Sequence, residues 1–161
     1  MVRNLKELGS FMQRIVKRLM NNQNLLKLLY YTDKDPLSQS DISDDTIRKE
    51  IYEKLIKVIP RVGPKETASS LIAIKIDRGK ANKNDEFRDI HFMIDVFVPL
   101  TQWIIKDENL RPFAIMGEIQ KSLQGAKVDG IGQIIGGDFE LNFLTEEISC
   151  YTITFTVTSY A

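Results

Sequence analysis

The sequence has few of the residues on which most catalytic and metal sites depend. Its 161 residues include one cysteine, Cys150, and one histidine, His91. One cysteine can neither form an internal disulfide nor supply a cysteine-rich zinc site, and one histidine cannot build a multi-histidine metal site. A Ser-His-Asp triad would have to use His91. We therefore expect no catalytic residue, no metal and no cofactor, and we interpret His91 and Cys150 as structural residues.

Long hydrophobic runs and a net charge are missing as well. Apolar runs do not exceed four or five residues, whereas a membrane-spanning helix needs about 20, and the first residues carry no secretory signal. Lys+Arg and Asp+Glu number 22 each, so the chain has no overall basic footprint for nucleic acid. We expect a soluble protein that is made in a reducing cytoplasm and has no membrane partner.

The charges are balanced in total but not along the chain. Residues 1–80 hold 16 Lys/Arg and 10 Asp/Glu, a net charge of +6, and residues 81–161 hold 6 and 12, a net charge of −6. Such asymmetry is typical of a protein with two faces that meet different partners. Two amphipathic halves that are solvated by different ions would give the same pattern, and the sequence leaves both interpretations open.

The composition and length predict one domain over residues 1–161, with a helical N-terminal segment (1–60) and an α+β core (70–161). Apolar residues at helical spacing predict a first helix over about 3–20. Asn22 can cap a short second helix, and Ser43 can cap a third that continues to Pro60. The apolar stripe of the first helix consists of Leu5, Leu8, Met12, Ile15 and Leu19.

The period then changes from 3.6 to 2, which predicts strands. We expect strands at 70–78, 88–98, 138–144 and 150–159, and a helix over 112–124 that begins at Pro112 and ends before a left-handed Gly125. In this helix we expect four buried side chains: Phe113, Met116, Ile119 and Leu123. In the last strand, Tyr151 and its alternate neighbours point inward, and the threonines from Thr152 onward point outward. The fold class is α+β: N-terminal helices followed by a mostly antiparallel sheet with one helix packed on it, in the order β-β-α-β-β.

Two other motifs have the wrong context for ligand binding. The glycine-rich segment 130–137 follows a helix and leads into a strand, the reverse of a dinucleotide fingerprint, so we interpret it as a flexible turn or a hairpin tip. The acidic run from Asp33 to Asp45 has Ser38 where a calcium loop needs glycine and Asp44 where it needs glutamate. We interpret it as a solvated loop followed by a helix start.

The polar face of the first helix is basic and is opposed only by Glu7. It carries Arg3, Lys6, Arg14, Lys17 and Arg18. Such a face can contact phosphates, an anionic membrane or an acidic protein, or it can simply be solvated. No aromatic residue lies on it, which argues against stacking on single-stranded nucleic acid. Trp103, in the connector before the next helix, is either a lid over the core or an exposed interface anchor.

The second half of the chain resembles a known family. The resemblance rests on FMIDVFVP (92–99), Trp103, RPFAIMGEIQKSLQG (111–125), GIG (130–132) and YTITFTVT (151–158). Together these segments resemble the tail terminator and tail-completion (neck) proteins of long-tailed bacteriophages. The similarity covers about residues 70–161, and Arg111 opens its Arg-Pro-aromatic helix start.

The resemblance implies a structural protein of the virion and not an enzyme. Such proteins form a ring, here expected to be a homohexamer, between the tail tube protein and the head connector or other neck proteins. Genomic DNA passes through the lumen without specific binding, and the protein is made in the host cytoplasm and ends in the tail or neck. We take Arg3, Lys6, Arg14, Lys17, Arg18, Trp103 and Arg111 as candidate interface residues. The alternatives are an adaptor that binds an acidic partner through the first helix, or a small enzyme that uses His91.

Overall fold

The fold is a mostly antiparallel sheet with helices on one face. A computed structural model describes residues 5–58, 68–81, 87–128 and 132–158. The helices are α1 (Glu7–Met20), α2 (Gln23–Tyr30), the one-turn α3 (Asp44–Thr46) and α4 (Arg111–Leu123). The strands are β1 (Ile56–Lys57), β2 (Leu71–Ala81), β3 (Phe87–Pro99), β4 (Ile104–Ile105), β5 (Asn109–Leu110), β6 (Lys127–Val128), β7 (Gly132–Leu144) and β8 (Ile148–Thr158).

Six of these strands form the main sheet, in the order β1-β2-β3-β8-β7-β6. Only the β1–β2 pairing is parallel, and β4 and β5 form a separate antiparallel ribbon. The four predicted strands are all present, and the first two pair antiparallel. The predicted α+β class with a mostly antiparallel sheet is therefore confirmed.

The main core lies between this sheet and helices α1, α2 and α4. Alternate residues of β3 point into it: Ile90, Phe92, Ile94, Val96 and Val98. The ring of Phe92 lies 5.8 Å from that of Phe11 on α1 and 5.4 Å from that of Phe155 on β8. We call this side of the sheet the helix face and the opposite side the open face.

The first two helices follow their local signals closely. In α1, Phe11 and Val16 join the predicted stripe in the core, but Leu5 is 67% exposed and does not belong to it. The second helix begins where predicted, because the Asn22 side chain accepts a hydrogen bond from the Leu25 amide at 3.0 Å. Arg3 lies outside the described residues.

The predicted third helix is wrong beyond its first turns. Ser43 does cap it, by accepting from the Thr46 amide at 3.2 Å. The chain then passes through a π-helical turn at Ile47–Ile51 and joins the sheet as β1, where Ile56 is buried and pairs with Ile72. The local sequence favours a helix at this point. Hydrogen bonds to the edge of β2 satisfy the backbone of residues 56–57 instead, so the segment forms a strand. Pro60 lies outside the described residues.

The glycine-rich segment is also corrected. From Gly132 onward it is the beginning of β7 and neither a flexible turn nor a hairpin tip, whereas Gly130 and Ile131 lie outside the described residues. Gly136 has φ of 139°, and a Cβ there would lie 2.6 Å from the Thr154 carbonyl oxygen. The glycine therefore lets β7 form a bulge against β8 at this point.

Two burial expectations differ from the structure. Phe113 on α4 is 39% exposed, although the other three predicted core residues of the helix are buried. Thr152 points to the open face as predicted but is buried there, beside Asp95. The predicted left-handed Gly125 is confirmed, with φ of 75° just after α4 ends.

Candidate functional site

One long strand of the sheet has an edge that the described strands leave open. Strand β6 pairs only with Gly132 and Gln133 of β7, and the preceding connector bonds to Ile134. From residue 135 to 144, no strand in the described part of the chain pairs with this edge of β7. Unpaired strand edges are templates for pairing with another chain.

This open edge is apolar as well as unpaired. Phe139, at 55% exposure, is typical of its exposed apolar side chains. The whole set on β7 comprises Ile135, Phe139, Leu141, Phe143 and Leu144. Isolated exposed apolar residues are common, but a contiguous group along one strand marks an interaction surface. We call this segment, residues 135–144, the β7 edge.

An aromatic cluster joins the β7 edge to the helix face. The ring of Phe113 lies 5.9 Å from Phe139 and 5.2 Å from Tyr151, and Trp103 lies 6.2 Å from Tyr151. Trp103 is half-buried and packs against the main core. It therefore covers the core, and Tyr151 connects it to the exposed rings of Phe113 and Phe139. Ile104, the next residue, is exposed beside this cluster.

The open face of β7 is acidic, and that of the opposite strand β2 is basic. Asp138 and Glu140 lie opposite Thr154 and Thr152 of β8, so both point to the open face. On β2, three cations lie on the same face: Lys75, Arg78 and Lys80. The two long edges of the sheet therefore carry charges of opposite sign.

A polar network with a buried centre, Asp95 and Thr152, crosses the open face between these edges. Lys75 Nζ lies 2.8 Å from Asp95 Oδ2, and the Thr152 hydroxyl donates to Asp95 Oδ1 at 2.7 Å. Asn142 then donates to the Thr152 hydroxyl at 3.1 Å. The network links four neighbouring strands. Its ion pair is directly hydrogen-bonded, which is the condition under which a buried charge is tolerated.

The second candidate surface is a basic groove between the helices. It has a volume of about 1000 Å³ and lies where α1, α2, α4 and β6 meet. Its cations come from three elements: Arg14, Lys17, Arg18, Lys121 and Lys127. The Arg18 guanidinium donates to the Lys127 carbonyl at 3.3 Å, and the Asn22 amide donates to Glu118 and Ser122. The groove thus contains three predicted interface residues and two cations that the sequence pattern did not indicate.

The remaining predicted interface residues have different surroundings. Lys6 is exposed at the beginning of the described chain and does not line the groove. Arg111 requires a correction, because it is fully buried. Its guanidinium donates to the carbonyl oxygens of Leu28, Tyr31, Asp33 and Gln102, at 2.6 to 2.9 Å. Burial lowers the pKa of Arg111, and the charge of Asp33 counteracts this. Arg111 therefore ties α2 and its following loop to α4 and is not exposed to a partner.

His91 and Cys150 are both held within the sheet. Nδ1 of His91 lies 2.9 Å from the Thr156 hydroxyl, on the neighbouring strand. Cys150 is fully buried, and burial, aided by the charge of Asp95, raises its pKa to about 12. A thiol with such a pKa is a poor nucleophile at neutral pH. These contacts agree with the structural interpretation of both residues.

The acidic loop does not gather its carboxylates. Asp41 pairs with Lys27 at 2.8 Å, Asp35 with Lys106 at 3.2 Å, and Asp45 with Lys49 at 3.1 Å. Within residues 5–58, 68–81, 87–128 and 132–158, no cluster of three or more His, Cys, Asp or Glu side chains could hold a metal ion. The helices of this same part of the chain are all too short or too polar to cross a membrane.

The β7 edge is the surface that sequence reasoning missed. The segment 138–144 was predicted as a strand, but which strand lies at an edge depends on the order of strands in the sheet. No local signal in the sequence marks this edge, because DFELNFL alternates polar and apolar residues as any half-buried strand does.

Comparison with known proteins adds a family. The model of the YomW family matches residues 22–157, which is most of the chain. The family name derives from the Bacillus phage SPBc2 and indicates a phage-associated protein. No curated protein matches the sequence.

Proposed function

We propose that this chain, which belongs to the YomW family, is a structural protein of the phage neck. In this proposal it forms a ring, expected to have six copies, that terminates the tail tube and joins the tail to the head connector. The phage association of the family supports a role in a phage. The resemblance of residues 70–161 to tail terminator and tail-completion proteins supports the position within the particle.

The observation that carries the proposal is the β7 edge. An exposed, apolar strand edge promotes aggregation unless another chain covers it. The strand is long and its side chains are large, so a lone copy would keep an unfavourable surface in water. In a closed ring every copy covers the same surface of its neighbour. Ring formation would therefore cover this edge with a neighbouring copy, whereas a monomeric enzyme would leave it exposed.

The open face of the sheet suits the wall of a DNA channel. It carries hydroxyls along β8, the carboxylates of Asp138 and Glu140 along β7, and three cations along β2, of which Lys75 is paired with Asp95. Because acidic and basic groups balance on this face, it has little net attraction for phosphates, and DNA would pass without being held. The cations of the basic groove lie among the helices, on the other side of the sheet. This separation leaves the groove for an acidic protein of the tail tube or head connector.

Deletion of the coding sequence from the phage that carries it tests the proposal. We expect filled heads and separate tails in lysates viewed by electron microscopy, and joined, infectious particles when the wild-type chain is supplied from a plasmid. Antibody labelling of joined particles should then mark the neck. Normal particles from the deletion phage, or label elsewhere in the virion, would contradict the proposal.

The basic groove favours a second function, that of an adaptor for an acidic protein. Changing Arg14, Lys17 and Arg18 to Glu reverses three of its cations, while Phe11 and the other buried residues of α1 are untouched. Surface changes of this kind alter stability by about 0.5 kcal/mol or less. A matched control reverses three exposed cations outside the groove: Arg48, Lys49 and Lys54.

The two functions differ in what the groove variant should do. If the chain is a neck ring, the groove variant should still form rings but leave heads and tails unjoined, and the control should assemble normally. If it is an adaptor, wild-type chain should bind an acidic partner as a single copy, and neither variant should affect particle joining. Duplex DNA binding with a steep salt dependence, by the wild type only, would instead assign the groove to nucleic acid.

A further inference from the structure

We propose that β7 of one copy pairs with β2 of the next, so that one continuous sheet runs around the ring. This inference rests on the proposed function, because it specifies how the copies of the ring meet. Both open strand edges would then be covered by neighbouring copies of the same chain.

Both edges are long enough and are free on the side that would pair. On β2, strand β1 pairs only with Ile72 and Ala73, so in the described residues the edge from Ile74 to Ala81 has no partner strand. On β7, residues 135–144 are likewise open. An antiparallel pair of this length would satisfy backbone groups on both strands, as in β-strand addition to a sheet edge.

The strand directions permit this pairing without a change of face. The neighbours β2, β3, β8 and β7 are successively antiparallel, so β2 and β7 run in opposite directions. A second copy placed beside β7 by repetition of the sheet presents its β2 antiparallel to β7. Its helices then lie on the same side as those of the first copy, which is what a ring with an outer layer of helices and an inner sheet requires.

Charge complementarity selects the partner. In an antiparallel pair that sets Lys80 of the next copy opposite Asp138, Arg78 comes opposite Glu140. In this register the free segments of the two strands pair along their length and neither β1 nor β6 is displaced. All four charged side chains lie on the open face, so the contact joins opposite charges. Opposite charges on facing strands stabilise a pairing, and like charges oppose it.

The same charges disfavour a two-fold dimer. Pairing β7 with a second β7 at its middle would place Asp138 and Glu140 of both copies together on one face. Pairing β2 with a second β2 would do the same with Lys75, Arg78 and Lys80. The favoured contact is therefore heterologous, and a heterologous contact generates a ring when its rotation closes.

Charge exchange between the two edges tests this inference. One variant changes Asp138 and Glu140 to Lys (the β7 variant), and another changes Arg78 and Lys80 to Glu (the β2 variant). Each variant alone would bring like charges together at every contact. Mixed in equal amounts they would again face opposite charges, and so would a chain that carries all four changes. Lys75 is kept, because it pairs with the buried Asp95.

We expect each single-edge variant to fold, as judged by circular dichroism, but to self-associate roughly a hundredfold more weakly than the wild type, since like charges across an interface suppress pairing. In the deletion phage, each should leave heads and tails unjoined. Co-expression of the two, or expression of the four-change chain, should restore joined particles. Light scattering of the restored assemblies should give a mass well above that of a dimer.

Three outcomes would overturn the inference: single-edge variants that join particles as the wild type does, a folded pair that fails to restore joining, or restored assemblies with the mass of a dimer. The first two leave the proposed function intact, because the deletion phage would still show unjoined heads and tails, whereas a dimer would also contradict the proposed ring. A deletion phage with normal particles would refute the proposed function instead.

Discussion

Thr152 and Asp95 lie opposite each other on the central strands β8 and β3, and the Thr152 hydroxyl donates to Asp95 Oδ1 at 2.7 Å. Only 4% of Asp95 and 3% of Thr152 is exposed. Lys75 holds the other carboxylate oxygen at 2.8 Å from β2. A charged carboxylate is thus kept in a buried position by donors from both neighbouring strands. Removing either donor should cost more than an ordinary surface contact.

Changing Thr152 to Val tests the hydroxyl donor. The shape of the side chain is kept, but Asp95 loses a hydrogen bond to its charged group, and we expect a loss of about 1.5–3 kcal/mol in the free energy of unfolding. Urea denaturation measures it. Thr154→Val is the matched control, since Thr154 is half-buried and donates only to a backbone carbonyl at 3.3 Å. Equal losses in the two variants would contradict a special role for the Thr152–Asp95 bond.

Arg111→Met should be among the most destabilising changes in the chain. The methionine fills part of the space but leaves four buried or half-buried carbonyl oxygens without their donor. We expect a loss of about 3 kcal/mol or more in the free energy of unfolding. Arg48→Met, at an exposed position, should change it by about 0.5 kcal/mol or less. A small effect of Arg111→Met would show that the clamp between α2 and α4 is dispensable.

Alanine substitutions at two glycines should change the stability of the fold in opposite directions. A Cβ at Gly136 would lie 2.6 Å from the Thr154 carbonyl oxygen, and its φ of 139° disfavours any side chain. We expect Gly136→Ala to lower the midpoint of thermal unfolding by roughly 5 °C or more. Gly117 lies on the exposed side of α4 with nothing within 4 Å of a Cβ, and Gly117→Ala should stabilise the helix by about 0.5–1 kcal/mol. Similar effects of both changes would contradict the close approach at the bulge.

The buried thiol of Cys150 should make the fold less stable at high pH. Its pKa rises from 9.0 to about 12 on folding. Between these two values the unfolded chain releases the thiol proton while the folded chain retains it, so the free energy of unfolding falls as the pH rises. Below pH 9 the protonated thiol contributes its full share to stability. Above pH 9 the free energy of unfolding falls by up to about 1.4 kcal/mol for each pH unit.

Urea denaturation of the wild type and Cys150→Ala across this pH range isolates that contribution from the other titrating groups. The variant will be less stable at neutral pH because it leaves a small cavity, but the difference between the two proteins should shrink as the pH rises from 9 to 12. A constant difference would mean that the thiol titrates normally in the folded chain.

Much of the fold could be predicted because its signals are local. Asn22 and Ser43 cap their helices through amides only three residues away, and Gly125 ends α4 through its own φ. The alternation of apolar residues in β3 and β8 marks two strands whose helix faces are buried. Such patterns depend on neighbouring residues, and a sequence displays them directly.

What failed depended on partners far away in the chain. Residues 56–57 became a strand because β2 offered an edge to them, and Arg111 became buried because α2 and its loop offered carbonyl groups to it. For the candidate site, the sequence by itself determined the cations of α1 and the opposite charges of the two halves. Only the tertiary structure decided that β7 lies at an edge, that its acidic side chains share a face with the cations of β2, and that Lys121 and Lys127 complete the basic groove. Strand order and helix packing bring together residues that are distant in sequence, and no local pattern records those distances.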